Sequence, residues 1–125
     1  MKQGDGKRVV IGGPIIRGDS MKKTKVAKTI EKFIRKYELD SDVRIYFSNK
    51  CWDYDSGKKT VIEDIKASDY FEYANDDTIS MSFEGGLYEH LNMHYGYAIF
   101  NEFNELDFDG HYFEMGHSWN LSFYK

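Results

Sequence analysis

His90 and His94 stand four residues apart, the spacing that puts two imidazoles on one helix face and lets them chelate zinc. Glu89 precedes His90, whereas the H-E-x-x-H arrangement needs its general base after the first histidine. A third ligand would have to approach in space, with His111 and His117 the matching residue types. His90 and His94 are therefore the candidate ligands of a small metal-binding protein or hydrolase, as an incomplete set. Asp107-Phe108-Asp109-Gly110 has the centre of a calcium loop, but the glutamate required six residues beyond the glycine is replaced by Gly116. It reads as an acidic turn. Cys51, the only cysteine, carries no nucleophile signature and reads as a small buried residue. The Gly12-Gly13 and Gly85-Gly86 pairs lack the Gly-Lys-Ser/Thr ending of a phosphate loop. Asp76-Asp77 and Asp107/Asp109 are paired carboxylates that would do acid–base work only if burial split their pKa values. Solvated turns are the simpler reading. No motif names a reaction or a cofactor, and the chain is expected not to be an enzyme.

Charge carries more information than any motif. Residues 67–124 contain no Lys or Arg, yet hold 11 carboxylates and 15 of the 21 aromatic residues. An acidic segment poor in aromatics reads as disordered. This one has ample apolar surface to bury, so it is expected to fold and to hold its charge on a rigid scaffold. Residues 1–38 are the reverse, with 11 Lys/Arg against four acids. The formal net charge of −4 conceals that division. A basic helix can bind nucleic acid through phosphates. The acidic remainder of so small a domain would repel DNA unless it faced away, so direct nucleic-acid binding is not expected. A negative surface instead attracts a basic partner or imitates a polyanion. Duplex DNA carries about one charge per 1.7 Å of axis, and spaced carboxylates can occupy a groove evolved for phosphates.

The elements that must hold these residues follow from periodicity. Val26, Ile30, Phe33, Ile34 and Tyr37 make one apolar face, predicting a helix over 21–38 with Ser20 as its N-cap. Residues 43–47 alternate as a strand. A turn at Asp55-Ser56-Gly57-Lys58 leads to a return strand over 60–65, with Val61 and Ile65 on one face. Residues 78–83 form a period-two strand with Ile79, Met81 and Phe83 inward. Residues 87–95 suit a short helix, 98–105 a helix or loop, and 109–110 a turn. Residues 118–124 close the chain as an alternating strand with Trp119, Leu121 and Phe123 on one face. The fold class is α+β: an antiparallel sheet of about four to five strands packed on one long N-terminal helix, with a short second helix. Residues 21–125 make one domain. Residues 1–20 differ in character and read as a leader or an N-terminal arm, with 9–11 able to add an edge strand. No apolar run reaches the length of a membrane span, no signal peptide is visible, and a lone cysteine fits a cytoplasmic location.

The runs Asp69-Tyr70-Phe71-Glu72-Tyr73-Ala74-Asn75, Ser80-Met81-Ser82-Phe83-Glu84-Gly85 and Gly116-His117-Ser118-Trp119-Asn120-Leu121-Ser122 resemble small acidic proteins carried by phages and mobile elements of low-GC bacteria. The resemblance spans residues 21–125. Proteins of that kind are often similar to anti-restriction and anti-CRISPR inhibitors, and no residue role carries over. The expectation is an acidic, protein-binding inhibitor, in its most concrete form a DNA mimic covering the nucleic-acid-binding surface of a host nuclease. Its partner is a basic protein, contacted through Asp69, Glu72, Asp76, Asp77, Glu102, Glu105, Asp107 and Asp109.

Overall fold

Helix α1 (Pro14–Lys36) belongs to a computed structural model that describes residues 14–125, with side chains from Met21 onward. The helix starts before the expected residue 21, so Ser20 lies inside it and is not the N-cap. The proposed edge strand over 9–11 lies outside the described residues. Val26, Ala27, Ile30, Phe33 and Ile34 are buried along one face, the outcome that spacing of three and four residues dictates. The C-terminus closes by a Schellman motif. Leu39 N–H donates to Ile34 O (2.6 Å) and Glu38 N–H to Arg35 O (3.2 Å), with Glu38 at φ 55°. Leu39 and Ile34 then share the core.

Six strands follow: β1 (Val43–Phe47), β2 (Lys50–Asp55), β3 (Lys58–Glu63), β4 (Ile79–Phe83), β5 (Tyr112–Met115) and β6 (Asn120–Tyr124). They form one antiparallel sheet in the order β3-β2-β1-β4-β6-β5. The expected four to five strands are six, and physical causes account for the shortfall. Ser48 and Asn49, both at positive φ, make a two-residue mirror-image turn without the usual Asn-Gly signal. β1 and β2 are thereby a tight hairpin in their own right. The turn at Ser56-Gly57 then sends β3 back two residues earlier than expected. Residues 112–115, too short to show a clear period, form the edge strand β5.

Alternation assigns the faces. Val43, Ile45, Phe47, Trp52, Tyr54, Ile79, Met81, Phe83, Leu121 and Phe123 point to α1. Two short helices, α2 (Gly86–Leu91) and α3 (Ala98–Asn104), seal the same layer through Leu87, Leu91 and Phe103. The opposite face is crossed by residues 64–78, a strap that includes a 3₁₀ turn at Ala67–Asp69. Ile65, Ala67 and Phe71 of the strap bury Tyr46 and Cys51, with Trp119 packed alongside. Trp119 and Ile65 thus belong to the outer cluster and not to the α1 side. For Ile65 the cause is Asp64, at φ 55° just past the end of β3; for Trp119 it is the turn before β6, where Asn120 Oδ1 accepts from His117 N–H (3.0 Å).

Candidate partner-binding surface

The strap is fixed by hydrogen bonds as well as by its apolar contacts. Asp76 accepts from Ser68 N–H (3.2 Å) and Ser68 Oγ (2.5 Å). Asn75 Nδ2 donates to Phe123 O (3.0 Å), and Thr78 Oγ1 bonds to the same carbonyl. Ser122 Oγ donates to Tyr73 O (2.8 Å) and lies 2.7 Å from Ser80 Oγ. Rings continue across the face: Tyr46 meets Phe71 (5.8 Å), Phe71 meets Trp119 (5.6 Å), and His117 stacks on Trp119 (5.6 Å) and touches Tyr73 (5.3 Å). Carboxylates on this strap therefore sit on a braced scaffold.

The eight expected partner-binding acids divide between the two faces of the sheet. Asp69, Glu72, Asp76 and Asp77 are exposed on the strap, on the face away from α1. Glu102, Glu105, Asp107 and Asp109 lie on α3 and the loop after it, within the helical layer. Cations of α1 neutralise part of the second group. Lys36 binds Glu102 (3.1 Å) and Lys25 approaches Asp109 (4.0 Å). Hydrogen bonds from Tyr37 and Lys36 hold the Glu102 carboxyl below its ordinary value. Asp107 Oδ1 accepts from Asp109 N–H (2.9 Å), so the calcium-like sequence is an acidic turn. On the strap, Glu72 lies 3.6 Å from His117. Asp69, Asp76 and Asp77 make no ion pair among the described residues.

A second acidic group, not singled out by sequence, occupies the outer sheet face. Asp42, Arg44, Asp53, Asp55, Ser82 and Glu84 line an open cavity of about 430 Å³. Tyr54, Val43 and Phe83 are paired across three neighbouring strands, and Asp55, Asp42 and Glu84 flank that rung. Glu84 N–H donates to Asp42 O (3.1 Å), extending the ladder to the acids themselves. Neighbouring strands lie about 4.8 Å apart, so three like charges are held in a row. The one guanidinium lining the cavity, Arg44, is engaged within it: it binds Asp53 (3.2 Å), donates to Tyr46 Oη (3.3 Å) and lies over the Tyr70 ring (5.9 Å), while Lys58 is the register partner of Asp55 at the edge of the row. The signal was present in sequence. Asp42/Arg44, Asp53/Asp55 and Ser82/Glu84 are i, i+2 pairs that share one face of adjacent strands.

The chemical candidates fare differently. Helix α2 ends at Leu91, and Met93 takes φ 61°, so His90 and His94 do not share a helix face. His94 Nδ1 bonds Glu89 (2.6 Å), while His90 packs on Tyr95 (5.4 Å). Among the described residues no group of three or more His, Cys, Asp or Glu is gathered as a metal site. Burial pushes the Cys51 thiol up to about 12, which leaves it protonated. No described helix is long and apolar enough to cross a membrane. No family model matches the chain, and neither a curated protein nor a solved structure matches it.

Proposed function

We propose that this protein is a non-enzymatic inhibitor that docks a basic protein partner on the outer face of its sheet, as a mimic of a polyanion. The supporting observation is the row Asp55, Asp42 and Glu84, with the neighbouring Arg44 bound to Asp53. Like charges set side by side on adjacent strands cost stability, and a positive partner would relieve that cost. The strap acids Asp69, Glu72, Asp76 and Asp77 extend the same face, and the exposed rings of Tyr70 and Tyr73 supply anchors among them. A host nuclease with a basic nucleic-acid channel is the most specific partner class, on the ground of the mobile-element resemblance. The test is binding to purified nucleases of the CRISPR and restriction types across a salt series. Tight binding that weakens with salt is expected. Reversing Asp42, Asp55 and Glu84 to lysine should abolish it, whereas reversing Glu105 and Asp107 should not. Binding indifferent to salt and to the outer-face reversals would sink the reading.

A second reading draws on the placement of charge. Lys22, Lys25, Lys28, Lys32, Arg35 and Lys36 are exposed on α1, on the side of the molecule away from the strap. That separation lessens the repulsion that weighed against nucleic-acid binding through the helix. A gel shift at low salt that is lost on changing Lys22, Lys28 and Lys32 to glutamine would favour it. No shift at low salt would remove it.

A further inference from the structure

Strap and β5–β6 hairpin meet at a smaller cavity of about 290 Å³, lined by Tyr73, Glu114, Met115, Gly116, His117 and Tyr124. Its composition differs from the acidic row. Aromatic rings, an imidazole and a carboxylate line it, with no lysine or arginine among the described residues that line it. The rings are braced from behind: Tyr73 against His117, His117 stacked on Trp119 at an interplanar angle of 9°, and Tyr124 beside Tyr112 (5.8 Å). The chain comes as close as it can at Gly116, where a Cβ would lie 2.2 Å from Asn120 Oδ1 and 3.1 Å from Tyr73 Cβ. Glu114 contributes its charge directly, and Glu72 stands outside the lining, 3.6 Å from His117.

Size and chemistry together select the occupant. The volume falls at the small end of ligand pockets, about 300–1,000 Å³, which suits one side-chain head better than a nucleotide. Aromatic faces beside a carboxylate attract a cation by quadrupole and charge together. A planar guanidinium stacks on rings and binds a carboxylate through paired donors, whereas an ammonium is a strongly hydrated point charge. We propose that this pocket receives an arginine side chain projecting from the basic protein partner. The proposal rests on the inhibitor reading for its partner, and names the anchor that the reading lacked.

The test is an NMR titration of the whole protein with N-acetyl-arginine amide, against N-acetyl-citrulline amide as a neutral isostere. Saturable shifts are expected at Tyr73, Glu114, Gly116, His117 and Tyr124, with citrulline binding at least about tenfold more weakly. Glu114→Gln and Tyr73→Ala should each remove the saturable response while the rest of the spectrum confirms the fold. Equal response to citrulline would overturn the proposal, as would arginine shifts spread over all the surface carboxylates without saturation at the cavity. The two readings fail separately. Nuclease binding unaffected by Glu114→Gln and Tyr73→Ala would remove the pocket from the interface and leave the acidic face in place. Saturation by arginine without binding to any basic nuclease would leave the pocket and remove the inhibitor.

Discussion

Asp42 concentrates two costs at one position. It is a non-glycine residue at φ 57°, and its carboxylate stands beside Glu84 and Asp55. Asn tolerates the left-handed region as well as Asp does. Asp42→Asn therefore removes the repulsion without adding backbone strain, and should stabilise the fold by about 0.5 kcal/mol. Chemical denaturation at low and high salt checks this: the gain should shrink as salt screens the row. The same substitution should weaken partner binding, the trade expected when a binding site is held against its own stability. Tyr54 and Glu31 illustrate the opposite, a satisfied polar contact. Tyr54 Oη donates to Glu31 (2.6 Å), and Lys59 Nζ reaches the same carboxylate (2.8 Å) while lying over Trp52. Burial pushes the Glu31 carboxyl up, but bonds from Lys59 and Tyr54 and the charges of Lys59 and Arg35 outweigh it, holding it below its ordinary 4.5. A depressed carboxyl contributes stability that is present above its unfolded pKa and lost as pH falls through its folded one. Wild type should thus lose stability more steeply than Glu31→Gln below about pH 4.5, measured by thermal denaturation across a pH series. Tyr54→Phe removes one bond to a carboxylate that keeps Lys59 and should cost about 1 kcal/mol at pH 7, read by chemical denaturation.

Among the elements, α1 ends at a non-glycine residue in the conformation that glycine prefers. Glu38→Gly keeps the Schellman bonds and removes the crowding of Cβ at φ 55°. It should raise stability by about 1 kcal/mol, visible as a higher denaturation midpoint with an unchanged slope. At Gly85, by contrast, a Cβ would lie 2.5 Å from Ser41 O. Gly85→Ala should cost about 1–3 kcal/mol, and because backbone opposes backbone there, no rotamer change relieves it. These elements also show where sequence speaks and where it is silent. Ile79, Met81 and Phe83 alternate against polar neighbours, so β4 and its buried face were legible. The α1 stripe was legible for the same reason. The β1–β2 turn was not, because Ser48 and Asn49 adopt positive φ without glycine. The end of α2 was not, because nothing in His90–His94 spacing reports that the chain leaves the helix at Leu91. For the candidate surface, sequence marked the strap acids as negative but could not place them on a different face from Glu102 and Asp109. That division depends on the long-range packing of Phe71 and Phe103 into separate clusters.

At the scale of the whole molecule, charge separates along the normal to the sheet. One side presents the exposed lysines of α1, and the other presents the strap acids and the row at Asp42. Pairing across the layers runs through Lys25–Asp109 and Lys36–Glu102 on the α3 side and through Lys59–Glu31 on the β3 side. Lys22, Lys28 and Lys32 make no ion pair among the described residues, and a small dipolar body has a further consequence. The Debye length is about 30 Å at 0.01 M salt and about 8 Å at 0.15 M, against roughly 10 Å between packed layers. At the lower salt each molecule carries a field in which the basic helix of one copy is drawn to the acidic face of another. Such a contact joins two different surfaces, so it need not close and can extend. Weak, concentration-dependent association is expected at 0.01 M salt and its disappearance at 0.15 M, followed by sedimentation or small-angle scattering. Changing Lys22, Lys28 and Lys32 to glutamine should suppress it, and so should changing Asp42, Asp55 and Glu84 to their amides, because the contact needs both surfaces. Association that persists at high salt, or that only one of the two sets removes, would mean that apolar contact rather than the dipole draws the copies together. The exposed Tyr95 and Tyr97, between α2 and α3, would then be the first residues to replace.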